Sequence, residues 1–164
     1  MSKVLFGIFK KKEKIKLKEL NFIYISLSGN TEYFVNQLKK KLQNEYEINL
    51  INVKQLVKDR IDFFKVDKSF IVFVPTYLEG GNGIDNGHNE ILTTPLREFV
   101  RSYENYKNCI GVIGSGNKNF NNQYCLTAKQ YSQEFKVPFL ADFELRGNNK
   151  DIERIENLIK GIIK

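Results

Sequence analysis

The sequence predicts an α/β fold: a three-layer sandwich with a five-stranded parallel sheet of order 2-1-3-4-5 and helices on both faces. Three observations carry the prediction. Five runs rich in β-branched and aromatic residues recur along the chain, at residues 21–27, 46–53, 69–76, 108–115 and 139–145. Several are apolar nearly throughout rather than alternating, which suits strands covered on both sides. Helical patterns fill the intervals, and right-handed crossovers then place helices on both faces of a parallel sheet. At 164 residues the chain fits one domain.

In chain order, residues 1–20 read as a basic, flexible N-terminal extension, with residues 21–164 forming the domain. The extension holds seven Lys and two Glu, so it carries +5 of the net +7. The remaining body carries only +2, without the basic stripe that lines a nucleic-acid groove, so no nucleic-acid partner is expected. The apolar run VLFGIF is too short for a signal peptide, and its charge follows rather than precedes it. Joined to KKKEKIK, it could touch an anionic lipid headgroup or a partner protein, although solvation is the general expectation for such a block. No apolar run approaches the roughly 20 residues of a membrane span.

The strand NFIYISL leads through SLSGNT into a helix whose face is Phe34, Leu38 and Leu42, with Glu32 at its start and Lys39, Lys40 and Lys41 near its end, as the helix dipole prefers. A short helix is expected within 54–64. Thr94-Pro95 supplies a cap and a first-turn proline for a helix with Leu96, Phe99 and Tyr103 on one face. A stripe of Tyr124, Ala128, Tyr131 and Phe135 predicts the next helix, ending near Pro138, and Ile152, Ile155, Ile159 and Ile162 predict the last. Between the third strand and its helix lies a long loop, LEGGNGIDNGHNEIL, of a length that in compact domains tends to be functional or disordered.

The order 2-1-3-4-5 is the flavodoxin-like one, in which ligands bind beyond the carboxyl ends of the strands where strand order reverses. Residues 26–31, 75–90 and 114–124 converge there. SLSGNT gathers Ser26, Ser28 and Thr31 hydroxyls, the Asn30 amide and backbone N–H groups around Gly29 at a helix N-terminus, an arrangement that suits an oxyanion. Each hydrogen bond to a charged group contributes roughly 1.5–3 kcal/mol, so five or six donors hold a phosphate without Lys or Arg. A capped turn accounts for one hydroxyl, not for four donor-bearing residues in six.

No P-loop and no Gly-x-Gly-x-x-Gly occurs, and no strand-end acidic cluster or phosphate-loop cysteine is present. Cys109 and Cys125 lack the spacing of a zinc or redox pair and read as free thiols. The second loop offers Tyr77 and three glycines, and the third offers Gly114, Gly116, several amides and Phe120. Together they describe a slot for a planar heterocycle, and a phosphate plus a planar ring at this switch point points to FMN. His88 and Arg97 read as solvated, as does Arg101, and Cys125 as a packed thiol. Asp85, Glu79 and Glu90 could bind a cation but lack Ca²⁺-loop spacing, and Glu144 and Arg146 could belong to a docking surface.

SLSGNT, PTYLEGGNG with TTPLREFV, GSGNKNFNNQYCLTAKQY and DFELRG together resemble the NrdI family, flavodoxin-like activators of class Ib ribonucleotide reductase. The resemblance runs in order over roughly residues 22–160 and implies one FMN and a cytoplasmic bacterial setting. It also implies a manganese-containing small-subunit partner, NrdF, and a flavin-reducing reductase or other electron donor. Reduced flavin would react with O2 and superoxide would pass to the metal site. By position, Ser26, Ser28, Gly29, Asn30 and Thr31 would hold the phosphate; Thr76, Tyr77, Leu78 and Gly80 would flank the ring; Ser115, Gly116, Asn117, Asn119, Phe120 and Tyr124 would close its other edge. The flavin would carry the chemistry, with no catalytic side chain and no protein-bound metal. The long loop and the lysine-rich first 20 residues depart from the family pattern. Electron-carrying flavodoxins resemble one another in being strongly acidic, which opposes a second negative charge on the reduced ring; this mildly basic body relieves that penalty. A general electron carrier, or a binding module that has lost flavin, are the readings that oxygen reactivity and colour would separate.

Overall fold

A computed structural model describes residues 14–79 and 87–164. Its strands are β1 (Lys18–Tyr24), β2 (Tyr46–Asn52), β3 (Phe70–Pro75), β4 (Cys109–Gly116) and β5 (Phe139–Glu144), all parallel in the order β2-β1-β3-β4-β5. The expected sheet is therefore present. β1 starts at Lys18, inside the stretch read as an extension, because Lys18, Glu19 and Leu20 pair with Tyr46, Glu47 and Ile48. The helices are α1 (Asn30–Leu42), α2 (Val53–Lys58), α3 (Thr94–Arg101), α4 (Leu126–Phe135) and α5 (Asn149–Ile162).

Two cores form, one on each side of the sheet. Beneath α1 and α5, Phe34 stacks on Phe143 with ring centroids 3.8 Å apart, and Phe22 meets Phe73 edge-on at 5.0 Å. Beneath α3 and α4, Phe99, Val100, Tyr131 and Phe135 cover Ile23, Val72 and Val112. Residues 71–74 are buried throughout, so β3 is the doubly covered strand that its unbroken apolar run predicts. Gly147 closes the turn into α5 at φ 72, and a Cβ there would lie 2.7 Å from Phe34, so both conformation and space require glycine. At the next turn Asn148 and Asp151 form a reciprocal capping box that starts α5.

Three helix-face expectations are corrected. α3 ends at Arg101, and Tyr103 beyond it turns to φ 54 and is 63% exposed; Val100 takes its place in the core. Tyr124 precedes α4, because Cys125 adopts a left-handed φ of 55 that breaks the helical stripe before Leu126. Ile162 is 45% exposed at the last residue of α5, one turn past the buried Ile159. The short second helix is found at Val53–Lys58, and the coil after it is held to α3 by the buried Asn105. Its side chain bonds the Val66 N–H and the carbonyls of Phe64 and Phe99. Within 80–86 lie Gly80 and Asp85, outside the described residues.

Candidate functional site

A cavity of about 270 Å³ opens at the carboxyl ends of β1, β3 and β4, where strand order reverses. Its size is near the lower end of the roughly 300–1,000 Å³ of small-molecule sites. Three chain segments build it.

The first is the turn between β1 and α1. Gly29 sits at φ 90, and nothing lies within 4 Å of a Cβ there, so its requirement is conformational. That turn lets the Gly29 carbonyl accept from Tyr33 N–H at 3.0 Å and begin α1. Ser26 Oγ accepts from Glu32 N–H at 3.2 Å, which satisfies the third amide of the helix. Among the described residues the Asn30 and Thr31 amides have no protein partner, and both residues line the cavity with Ser28 and Leu27. Free N–H groups, two hydroxyls and a carboxamide therefore converge at the positive end of a helix. Among the described residues that line the cavity none is charged, so an anion there would be held by neutral donors.

The second segment follows β3. Pro75, Thr76, Tyr77 and Leu78 form one wall. Thr76 Oγ1 donates to the Ser115 carbonyl at 2.7 Å and so ties this wall to the third segment. Leu78 pairs with Glu90 in an antiparallel bridge, with Ile91 N–H donating to Tyr77 O at 2.9 Å and Glu79 N–H to Asn89 O at 3.0 Å. Both described ends of the long loop thus form a two-stranded ladder.

The third segment runs from β4 to α4. Ser115, Gly116, Asn117, Phe120, Gln123 and Tyr124 line the opposite wall, joined by Leu145 from the end of β5. A Cβ on Gly116 would lie 3.3 Å from Thr76 Oγ1, Tyr124 Cδ2 and Cys125 N, a tight fit between the walls. The Gly116 carbonyl accepts from Leu145 N–H at 2.9 Å. Asn117 Oδ1 accepts from Asn119 N–H at 2.9 Å and starts a short 3₁₀ turn, Lys118–Gln123. Glu144 anchors this turn by accepting from Lys118 N–H at 2.9 Å. Tyr124 presents its ring to the cavity while its hydroxyl donates to Asp142 Oδ1 at 3.0 Å; burial, then the neighbouring Cys125 and Asp142, push its pKa well up. The phenol is therefore a fixed neutral donor at any physiological pH.

Of the residues named from sequence, Ser28, Asn30, Thr31, Thr76, Tyr77, Leu78, Ser115, Gly116, Asn117, Phe120 and Tyr124 meet at this cavity. Ser26, Gly29 and Asn119 do not line it: they shape the turns behind it, and Gly80 is outside the described residues. Leu27, Pro75, Gln123 and Leu145 were not singled out. The first three lie in or beside the quoted loops. Leu145 could only be found by pairing the end of β5 with Gly116.

The remaining candidates fall elsewhere. His88 is exposed, as expected. Cys125 is fully buried, and burial pushes its thiol up to about 12, as it does that of Cys109. Arg97 corrects the solvated reading: it is largely buried, lies 2.8 Å from Glu90 Oε2 and sits 4.8 Å over the Tyr131 ring. Glu90 is consumed by that pair, so it is no cation ligand. Among the described residues no group of three or more His, Cys, Asp or Glu could hold a metal ion, and no helix is long and apolar enough to cross a membrane.

The family model described as NrdI flavodoxin-like matches residues 22–157. An NrdI-like protein of Streptococcus pneumoniae is 54% identical over 146 residues, covering 87% of this chain and 94% of its own. Protein NrdI of Malacoplasma penetrans is 35% identical over 132 residues, covering 80% and 85%. Among solved structures, a short-chain flavodoxin associated with a bacterial microcompartment matches with a TM-score of 0.64 at 20% identity, over 90% of this chain and 97% of that one. Oxidised flavodoxin 2 of Bacillus cereus matches with a TM-score of 0.56 at 18% identity, over 86% and 95%. At these identities the structural likeness establishes the fold.

Proposed function

This chain belongs to the NrdI flavodoxin-like family, and from that premise we propose that it is an FMN-dependent activator of class Ib ribonucleotide reductase. Its task would be to supply superoxide, or a related oxidant made from O2, to the dimanganese small subunit NrdF for assembly of the radical cofactor. A separate reductase would recharge it. When bound, the flavin would supply the electrons that reduce dioxygen.

The observation that carries the reading is the cavity at the sheet's switch point, whose described lining residues are all uncharged, with a helix mouth at one end and aromatic walls at the other. The residues present fit FMN. Ser28, Asn30 and Thr31, with the free amides of α1, would hold the phosphate. Tyr77, Leu78, Phe120 and Tyr124 would flank the planar ring, and the peptide groups around Gly116 would meet its polar edge. Beyond holding the ring, the chain would tune it by charge. The body outside the first 20 residues carries +2, so it does not oppose a second electron as an acidic surface would.

The test is direct. Protein loaded with FMN should be yellow, reoxidise rapidly when reduced and exposed to air, and release superoxide; added NrdF should form a complex and acquire its tyrosyl radical. Reduced protein that survives in air and donates electrons to other acceptors would move the assignment to an electron carrier. Protein that stays colourless in excess FMN would remove the flavin reading altogether.

A further inference from the structure

We propose that Glu90, which lies outside the cavity, is a positioning residue for its Tyr77–Leu78 wall, acting through the returning limb of the long loop with help from Gln123. The inference rests on the FMN reading for its functional consequence, but its structural part stands alone.

Glu90 is a carboxylate with a side chain only 3% exposed, far from the usual place of a loop acid. Its Oε1 accepts from Thr93 Oγ1 at 2.7 Å and from Tyr131 OH at 2.8 Å, and its Oε2 lies 2.8 Å from Arg97 Nε without the alignment of a hydrogen bond. Thr93 and Arg97 belong to the start of α3, and Tyr131 to α4, so one carboxylate ties the loop to both helices. Gln123, which is 4% exposed and lines the cavity, donates from Nε2 to the Gly87 carbonyl at 3.0 Å, and Gln130 does the same to the His88 carbonyl at 2.8 Å. The returning limb is therefore held at Gly87 by the 3₁₀ turn, at His88 by α4, and at Glu90 by α4 and the start of α3.

The outgoing limb is anchored at its start by Pro75 and Thr76 against Ser115, and beyond that point Tyr77, Leu78 and Glu79 rest on the ladder bonds at Tyr77–Ile91 and Glu79–Asn89. Those bonds hold only while 89–91 is fixed. At Gly87 a Cβ would run into the Glu79 side chain and carbonyl, so the two limbs already approach as closely as chains can. Beyond Thr76 the wall is thus connected to α3 and α4 through Glu90 and the ladder. A carboxylate that accepts from two donors and pairs with a guanidinium is costly to remove, because those partners then lose their counterpart in the interior.

The experiment compares Glu90→Ala, Glu90→Gln and Gln123→Ala with Ile159→Ala, a core substitution in α5 on the other face of the sheet, chosen to lower stability without touching the loop or Tyr131. Amide hydrogen exchange is read on Glu79 and Ile91, and FMN affinity by fluorescence titration of the full chain. Glu90→Ala should speed both amides and raise the FMN Kd by at least about tenfold, the scale of one lost charge-assisted hydrogen bond. Glu90→Gln, which keeps an acceptor for Thr93 and Tyr131, should recover most of both, and Gln123→Ala should fall between. Unchanged exchange in Glu90→Ala, or equal acceleration in Ile159→Ala at matched loss of thermal stability, would overturn the proposal. Wild-type protein that binds no FMN would remove the functional reading, while the exchange result would still decide the positioning role.

Discussion

The two ends of the cavity are built on different length scales. The helix mouth is six consecutive residues, Ser26–Thr31, whose geometry follows from one left-handed glycine and one capping serine. The ring walls are assembled from segments far apart in sequence: Thr76 bonds Ser115, Leu78 pairs with Glu90, Gln123 reaches Gly87, and Tyr124 reaches Asp142. A local site is as stable as its helix. A distributed one is only as well placed as the long-range contacts that hold it, so it can be detuned from many positions. The mouth should therefore respond strongly to its own residues, and the walls moderately to several.

The largest effect is expected at the mouth. If Ser28 and Thr31 hold the phosphate as proposed, replacing them together by Ala would remove two neutral donors from it, at roughly 1.5–3 kcal/mol each. FMN affinity should fall by about two orders of magnitude or more, read by fluorescence titration. The apoprotein should melt close to wild type, since among the described residues neither hydroxyl has a hydrogen-bond partner. Retained affinity would break the comparison at its first term.

Next comes the contact between the walls. In Gly116→Ala the new methyl would meet Thr76, Tyr124 and the Cys125 backbone at 3.3 Å, and only the two side chains can give way. Overpacking of this kind costs about 1–3 kcal/mol, and because the strain falls on cavity-lining residues it should weaken FMN binding by roughly tenfold while lowering the melting temperature. Stability lost with affinity unchanged would mean that the walls yield without moving the ring site.

This difference also explains what could be read from sequence. The five strands and the helix mouth depend on local pattern, and α1 carries Phe34, Leu38 and Leu42 inward as their spacing requires. Failures came where a tertiary contact overrode the pattern. Arg97 had the spacing of an outward residue, yet the buried Glu90 draws it in; no local signal announces a loop glutamate that packs beneath two helices. Tyr124 continued the apolar stripe of α4, but the left-handed turn at Cys125 detaches it and turns its ring to the cavity. Leu145 lines the site through a backbone bond to Gly116, a relation that exists only after β4 and β5 have paired.

A smaller effect is expected from Tyr124→Phe. The ring remains as a wall, and only the hydrogen bond to Asp142 at 3.0 Å is lost. A hydrogen bond to a carboxylate contributes roughly 1.5–3 kcal/mol, but this one acts on the placement of the ring and not on the ligand itself, so FMN affinity should drop by only roughly fivefold. A drop as large as that of the paired mouth substitutions would show the hydroxyl to be a direct ligand, and would erase the distinction between local and distributed halves.

The smallest effect sets the walls against the core through their thiols. Cys125 lies under the third loop and Cys109 begins β4 at the opposite end of the strand; both are buried, and burial pushes both up to about 12. A raised folded-state value favours the protonated native thiol, so each contributes stability that is complete below the unfolded value near 8.5 and declines as pH rises toward about 12. Stability in denaturant should thus fall between about pH 8.5 and 10, at up to roughly 1.4 kcal/mol per pH unit for each thiol. At pH 8 neither thiol should react with a disulfide reagent faster than the protein opens, because the reactive thiolate is scarce and shielded. The ratio of the two rates then reports local opening. If the third loop is held only by its long-range contacts, Cys125 should react measurably sooner than Cys109 and slow when FMN is added, whereas equal rates would place the ring wall and the core in one cooperative unit.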